Sequence, residues 1–233
     1  MYSRILLKLS GESLAAADFP YSIPNMEKYA LQVKKIREMG VDVGIVIGGG
    51  NICRGRIFED LGLDRVMADY AGMLGTVINA QMFAAVLNKC GVKAVCMSAI
   101  KAQNVMDYDI EEAKRLLAEG NVMVFGGGYG LPYHSTDTGC AQRALDIGAD
   151  VILMAKSGTD GVYNKDPGKN PDATRFDEMT FNDILDLKLQ VIDLQAAEIC
   201  NKGKIEAFVF KMDEEDNIVK AVKGEAIGTR IKF

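Results

Sequence analysis

Tryptophan is missing from this 233-residue chain, histidine appears once and proline five times. The lone His134 and five cysteines (Cys53, Cys90, Cys96, Cys140, Cys200) that form no CxxC pair leave no cluster at metal-ligand spacing, so no protein-held metal is expected. The odd cysteine count argues against a disulfide framework and suits reduced, mostly buried thiols in a cytoplasmic protein. Positive charge is also scarce: 27 Lys and Arg against 32 Asp and Glu give a formal net charge of -5. That balance offers no general attraction to nucleic acid or to an anionic membrane, so any anion site must be local. No apolar run approaches the roughly 20 residues that span a bilayer. The N-terminal stretch from Met1 to Ser10 is interrupted by Lys8 and lacks a signal-peptide layout.

What is present is an ordinary globular composition, 48% hydrophobic and 25% charged, enough for one good core or two small ones. The most informative stretch is Val43 to Ile47, an apolar β-branched run that feeds into Gly48-Gly49-Gly50 and then Asn51 to Gly55 with Arg54. The run predicts a buried strand. The glycines remove side chains where the backbone turns, so amide N–H groups can approach a ligand, and Arg54 adds a planar cation suited to phosphate. By itself such a segment fits a plain glycine turn beside a solvated arginine equally well. The layout recurs, however. Arg4 to Leu9 predicts a strand that ends in Lys8-Leu9-Ser10-Gly11-Glu12. Asn121 to Phe125 predicts another, running into Gly126-Gly127-Gly128-Tyr129-Gly130-Leu131-Pro132-Tyr133-His134-Ser135-Thr136-Asp137. There Ser135, Thr136 or Asp137 can cap a helix starting near Thr138, and helix N-termini favour anions. Val151 to Met154 predicts a further strand with a second strand-end lysine, Lys156.

Between these junctions the pattern predicts an irregular loop over 15–24, then helices over 25–39, 63–89, 109–118, 181–187, 193–201 and 218–222. Strands are expected over 93–97, 207–211 and 227–232, and a polar surface loop over 167–177. The helix 63–89 is apolar almost all round, so it is expected between layers or against another subunit. Asp69 near its start needs a partner, either Arg65 one turn earlier or the hydroxyls of a ligand. Strands alternate with helices over connections too long for hairpins. That predicts an α/β fold: a three-layer αβα sandwich around a mostly parallel sheet, with ligands outside the carboxyl ends of the strands. The glycine junctions and both lysines all fall at such ends. Two lysines, an arginine and glycine amides describe a site for negative charge in transfer. Lys8 and Lys156 can flank a moving phosphoryl group, and Asp137 can hold the lysine ammonium groups in place.

The chain resembles bacterial UMP kinases (uridylate kinases) of the amino acid kinase superfamily along nearly its whole length. The shared segments are Ile5 to Glu12, Val46 to Asn51 with Arg54-Gly55, Ala68-Asp69 with Gly72-Met73-Leu74, Met97-Ser98-Ala99, Pro132 to Asp137, and Asp160 to Tyr163 with Asp166-Pro167. The resemblance implies transfer of the γ-phosphoryl of ATP to UMP, giving UDP and ADP, with Mg²⁺ held mainly by phosphates. It further implies a homohexamer, a place in pyrimidine (CTP/UTP) synthesis and feedback inhibition by UTP. The chain would be one domain, 1–233, with acceptor binding in about 1–150 and ATP binding in about 151–233. Lys8, Lys156 and Asp137 would be catalytic. Lys8, Leu9, Ser10 and Gly11 would meet ATP phosphates, assisted by Gly50 and Arg54. Ser157, Tyr163 and Asp166 would line the adenine and ribose pocket. Gly49 and Asp69 would bind UMP, and Tyr129, Gly130, Leu131, Pro132, Tyr133, His134, Ser135 and Thr136 would wrap the uridine and its phosphate.

The match has departures. Leu131 stands where the family commonly has asparagine and Tyr129 where it has threonine. Lys156 falls one position later than in some members. The segment Ser13 to Ser22 lacks the glycines of members activated by GTP, so weak or absent GTP activation is expected. Two other functions fit the same edge: a relative acting on a carboxylate or carbamate, and a non-catalytic nucleotide sensor. Asp69 speaks against the first, and retention of both lysines with Asp137 against the second.

Overall fold

The computed structural model describes residues 2–53, 62, 64–187, 189 and 191–233. Its centre is a nine-stranded sheet. The strands that build its middle are β1 (Arg4–Leu9), β2 (Asp42–Ile47), β5 (Val122–Gly126), β6 (Val151–Lys156) and β10 (Glu206–Lys211). Outside them lie β3 (Ala94–Ser98) and β4 (Met106–Asp107) on one side, and β9 (Glu178–Thr180) and β11 (Gly228–Lys232) on the other. The spatial order is β4-β3-β5-β2-β1-β6-β10-β11-β9, with β10 and β11 the antiparallel pair. From β1 the chain crosses first to β2 on one flank and later to β6 on the other. The loops leaving these carboxyl ends therefore diverge and open a crevice above β1.

The alternation of side chains along each strand sorts the core into two layers. Ile5, Leu7 and Leu9 of β1, with Val43, Ile45 and Ile47 of β2, face one layer, while Leu6 and Val46 face the other. The first layer is covered by α1 (Ile23–Glu38), α2 (Arg65–Lys89) and α7 (Asn217–Lys223). The second is covered by α3 (Ile110–Ala118), α4 (Thr136–Ile147), α5 (Phe181–Leu187) and α6 (Leu194–Gly203). The expected three-layer αβα sandwich is thus the observed architecture.

Several local expectations shift. Helix α1 starts at Ile23, inside the stretch read as loop, because Pro24 sits in its first turn where a missing N–H costs nothing, and Ser22 caps it. A short 3₁₀ helix, Gly11–Leu14, follows β1 directly. The short strands β4, β7 (Val162–Tyr163), β8 (Arg175–Phe176) and β9 were not anticipated. Two or three residues are too few for an alternating pattern to register, and β8 falls inside the polar span read as loop.

Helix α2 also overturns the expectation that no stretch is long and apolar enough to cross a membrane, since by length and composition alone it passes. Its apolar residues are interspersed with Gly, Thr, Asn and Gln, which hid the signal from a search for unbroken runs. Half of it packs on the sheet through Val77, Ala80, Phe83 and Leu87. The outward side exposes Met67, Tyr70, Leu74 and Ile78 as one stripe at helical spacing.

Candidate active site

The glycine loop after β2 is held by internal packing as well as shaped for access. A side chain at Gly49 would come within 2.8 Å of the Gly72 carbonyl oxygen on α2. One at Gly11 would collide with the Gly48 carbonyl and with Asn51. Both residues let backbone approach backbone, which is what a glycine in such a place supplies. Asn79, fully buried in α2, donates to the Gly48 carbonyl at 2.7 Å and exchanges hydrogen bonds with Asn51. Tyr21 donates to the same Asn79 at 3.0 Å. The loops after β1 and β2 are thereby tied to one helix. Arg54 and Gly55 lie outside the described residues.

Lys8 and Asp137 meet across the crevice. Lys8 projects from β1 and its Nζ lies 2.7 Å from Asp137 Oδ1 in the first turn of α4. Burial opposes the Lys8 charge, but the adjacent carboxylate outweighs it and raises the lysine pKa above its ordinary value. Burial works against Asp137 too, yet Lys8 and then Lys156 hold its carboxyl below the usual range. Lys156, at the end of β6, differs: burial and then repulsion from Lys8 lower its pKa. Its ammonium donates to the Val191 carbonyl at 3.0 Å. Two cations share one anion in a largely desolvated place, so the group carries a standing demand for another negative charge.

A cavity of about 570 Å³ opens between α2 and the loop that follows β5. Gly49, Gly50, Asp69, Leu131, Tyr133, His134, Ser135 and Thr136 line it, so eight of the candidate residues converge on one space. Asp69 is matched on both oxygens: Arg65 Nε donates to Oδ1 at 2.9 Å and the Tyr133 N–H to Oδ2 at 2.7 Å. Tyr133 takes a left-handed backbone, φ 66°, to aim that N–H. His134 Nδ1 lies 3.0 Å from Gln195 Oε1, a contact that orients the ring. Ser135 caps α4 by accepting from the N–H groups of Asp137 and Thr138. Tyr129 does not line this cavity: its ring packs at a tilt against His134, and the residue lines a separate cavity. Gly130 packs against Ala99, and neither it nor Pro132 lines the cavity.

A neighbouring cavity of about 620 Å³ is lined by Asp137, Lys156, Leu189, Val191, Ile192 and Asp193. It shares Asp193 and Leu194 with the first. Ser157, Tyr163 and Asp166 follow Lys156 beyond the end of β6, away from the first cavity. Tyr163 donates to Asp160 Oδ1 at 2.7 Å, Arg175 binds the other oxygen of Asp160, and the Asp166 carboxylate closes a turn through the Gly168 N–H.

Asp193 is the member of this site that sequence patterns missed. It caps α6 through the Ala196 N–H, and it also accepts from the hydroxyls of Ser135 and Thr138 at the start of α4. An acid just before an apolar helix signals a cap and nothing more. Thr76 was missed as well. It accepts from the Gly127 N–H at 2.8 Å and so joins α2 to the loop after β5.

Among the described residues there is no group of three or more His, Cys, Asp or Glu able to hold a metal. Asp137, the acid closest to both lysines, is engaged by Lys8.

The model of the amino acid kinase family matches residues 3–211. Among solved structures, a UMP kinase from Bacillus anthracis superposes with a TM-score of 0.94 at 37% identity, over 99% of this chain and 96% of that one. A UMP kinase from Ureaplasma parvum gives 0.95 at 35% identity, over the whole of both chains. A uridylate kinase from Archaeoglobus fulgidus gives 0.76 at 29%, over 97% of this chain and 99% of that one.

Proposed function

The chain belongs to the amino acid kinase family, and within it we propose a UMP kinase that transfers the γ-phosphoryl of ATP to UMP, giving UDP and ADP. The observation that carries this is the junction of two cavities. They share the wall Asp193–Leu194, with the Lys8–Asp137–Lys156 group beside it. That group stands between the acceptor cavity and the ends of β1 and β6, over which a donor would lie, and the transfer needs only positioning and positive charge at the group that moves.

In this mechanism UMP occupies the 570 Å³ cavity. Asp69 accepts hydrogen bonds from the ribose hydroxyls, and Gly49 and the N-terminus of α4 face the phosphate. Leu131 and the run Tyr133 to Thr136 enclose the uridine. ATP lies over the ends of β1 and β6, with Lys8, Leu9, Ser10, Gly11 and Gly50 at its phosphates and Ser157, Tyr163 and Asp166 at its adenosine. Lys156 exchanges its bond to the Val191 carbonyl for the moving phosphoryl, and Lys8 faces the same group from the other side. Asp137 holds the two ammonium groups at the spacing the transition state needs. The acceptor is already a phosphate anion, so no strong general base is required. Magnesium brought in with ATP would be held mainly by phosphate oxygens and would offset part of their charge, since the residues here supply few free carboxylates.

The same reading includes a cytoplasmic enzyme of pyrimidine nucleotide synthesis, assembled as a homohexamer through the exposed stripe of α2, inhibited by UTP and activated weakly or not at all by GTP. The segment after β1 supports the last point: backbone hydrogen bonds from Ala16 to Phe19 and from Ser22 to Leu14 close it into a fixed turn.

ADP release measured with UMP, CMP, N-acetylglutamate and no acceptor tests the assignment. UMP should support release far above the other three. Turnover of N-acetylglutamate would move the chain to a carboxylate-phosphorylating branch, and release with none of them would make it a sensor.

A further inference from the structure

We propose that Asp193 is a positioning residue for phosphoryl transfer, which holds the first turn of α4, and through it Asp137 and the two lysines, in place beside the acceptor cavity. This role rests on the phosphoryl-transfer reading above and adds to it a residue that acts through its neighbours.

The carboxylate does more than cap its own helix. Capping α6 takes one acceptor for one N–H, and Oδ1 accepts from the Ala196 N–H at 2.8 Å. The same carboxylate then accepts from the Ser135 hydroxyl on Oδ2, and from the Thr138 hydroxyl at 3.1 Å on Oδ1 and 3.0 Å on Oδ2. Thr138 is buried, at 2% exposure, so its hydroxyl needs a partner inside the protein. Ser135 is itself the cap of α4, so the caps of two helices are bonded to each other. From Ser135 the chain of bonds runs on to a lysine. Its Oγ accepts from the Asp137 N–H at 2.9 Å, and Asp137 Oδ1 lies 2.7 Å from Lys8 Nζ. With its proton committed to Asp193, the Ser135 hydroxyl turns its lone pairs to the helix.

The residues flanking Asp193 reach both sides of the transfer. Two positions earlier, the Val191 carbonyl accepts from the Lys156 ammonium at 3.0 Å; two positions later, Gln195 Oε1 meets His134 Nδ1 at 3.0 Å. Asp193 lies between them and lines both cavities. On its opposite side the start of α4 is pressed against the loop after β5, where a side chain at Gly139 would come within 2.8 Å of the Gly128 backbone. The turn is therefore located by backbone contact on one side and by this carboxylate on the other. Moving it moves Asp137 and the ammonium group paired with it, and transfer between two seated substrates is sensitive to such misplacement. A role through charge alone would show differently. Removing an anion from beside two ammonium groups would strengthen their hold on ATP phosphates.

The test is Asp193→Asn in the full chain, assayed with the acceptor that gives the most ADP release in the wild type. Asparagine keeps the shape and remains a good helix cap, so the thermal midpoint should hold. The NH2 group in place of Oδ2 cannot accept from Ser135. The kcat should fall about 10- to 100-fold with little change in the KM for ATP. Hydrogen exchange followed by mass spectrometry, without substrates, should quicken over the first turn of α4 and stay unchanged over β1. Thr138→Val, which removes one donor to the same carboxylate, should lower kcat as well, and the two effects should combine to less than their sum in free energy. Wild-type kcat in Asp193→Asn, a lower KM for ATP with kcat unchanged, unaltered exchange at the start of α4, or fully additive effects would each overturn the role of Asp193 and leave the kinase reading standing. A wild-type chain that releases no ADP with any acceptor would overturn both.

Discussion

Lys8 of β1 and Asp137 of α4, 129 positions apart in the chain (137 minus 8), form an ion pair of 2.7 Å. Lys156 makes no such pair with Asp137; its ammonium rests on the carbonyl of Val191. The two lysines therefore differ in what they give up when substrate arrives. Lys8 keeps its carboxylate, and Lys156 trades a neutral acceptor for a charged one. Replacing either by alanine should lower kcat by about 10²–10³, the usual cost of losing one donor aimed at developing charge. The KM for ATP should change much less. Steady-state kinetics decides this, and near-normal kcat in either variant would remove that lysine from the mechanism.

The depressed pKa of Lys156 sets a direction for pH dependence. The protonated, working form is lost at lower pH than for an ordinary lysine, so kcat/KM for ATP should fall on the alkaline side before the usual lysine range. Bound phosphates favour the ammonium, so the corresponding limb in kcat should move to higher pH. The limb should disappear from both profiles in Lys156→Arg if that variant retains activity. A limb that stays in place in that variant belongs to another group.

Asp69→Asn should raise KM for UMP well beyond any change in KM for ATP. The asparagine can still accept from the Tyr133 N–H but loses the charge that faces Arg65, and hydrogen bonds to charged groups contribute roughly 1.5–3 kcal/mol. Equal effects on both substrates would instead mean that the carboxylate serves the fold. Arg65→Ala, alone and combined with Asp69→Asn, separates the two roles by whether the effects add.

The stripe Met67, Tyr70, Leu74 and Ile78 on α2 should be covered in solution by another copy of the chain. Sedimentation at micromolar concentration should give an oligomer. Leu74→Glu should shift it towards smaller species without altering the far-ultraviolet circular dichroism of the folded chain. A wild-type monomer would refute both the interface and the hexamer.

The central strands were legible because Val43 to Ile47 and Val151 to Met154 are short apolar runs with glycine or lysine at their ends, and such ends collect at one edge of a parallel sheet. The partner of Lys8 was legible for the same reason, since Asp137 follows the third glycine junction. Asp193 was not: its bond to Ser135 joins residues 58 positions apart, and nothing in its neighbourhood distinguishes a cap from a cap that also ties down a second helix. Which way Tyr129 faces was also hidden. In a run of glycines and aromatics without period, no alternation tells one side of the loop from the other. The glycines themselves were half understood. Access to a ligand suggested itself from their number, whereas the need of Gly49 and Gly11 to touch neighbouring backbone appears only once α2 and the 3₁₀ turn are in place.

The clasp of Asp193 on Ser135 and Thr138 has a bearing on dissection of the chain. It draws a residue encoded late into the mouth of a cavity whose other walls are encoded early. A fragment ending near position 150 would carry Asp69 and the capping serine but would present α4 with its anchoring acid gone. Coexpressed halves could restore binding by reassociating through the four-residue β1–β6 pairing and the packing of α4 on α6, so recovery of UMP binding in such a split protein would report on reassembly of sheet and helix layer together.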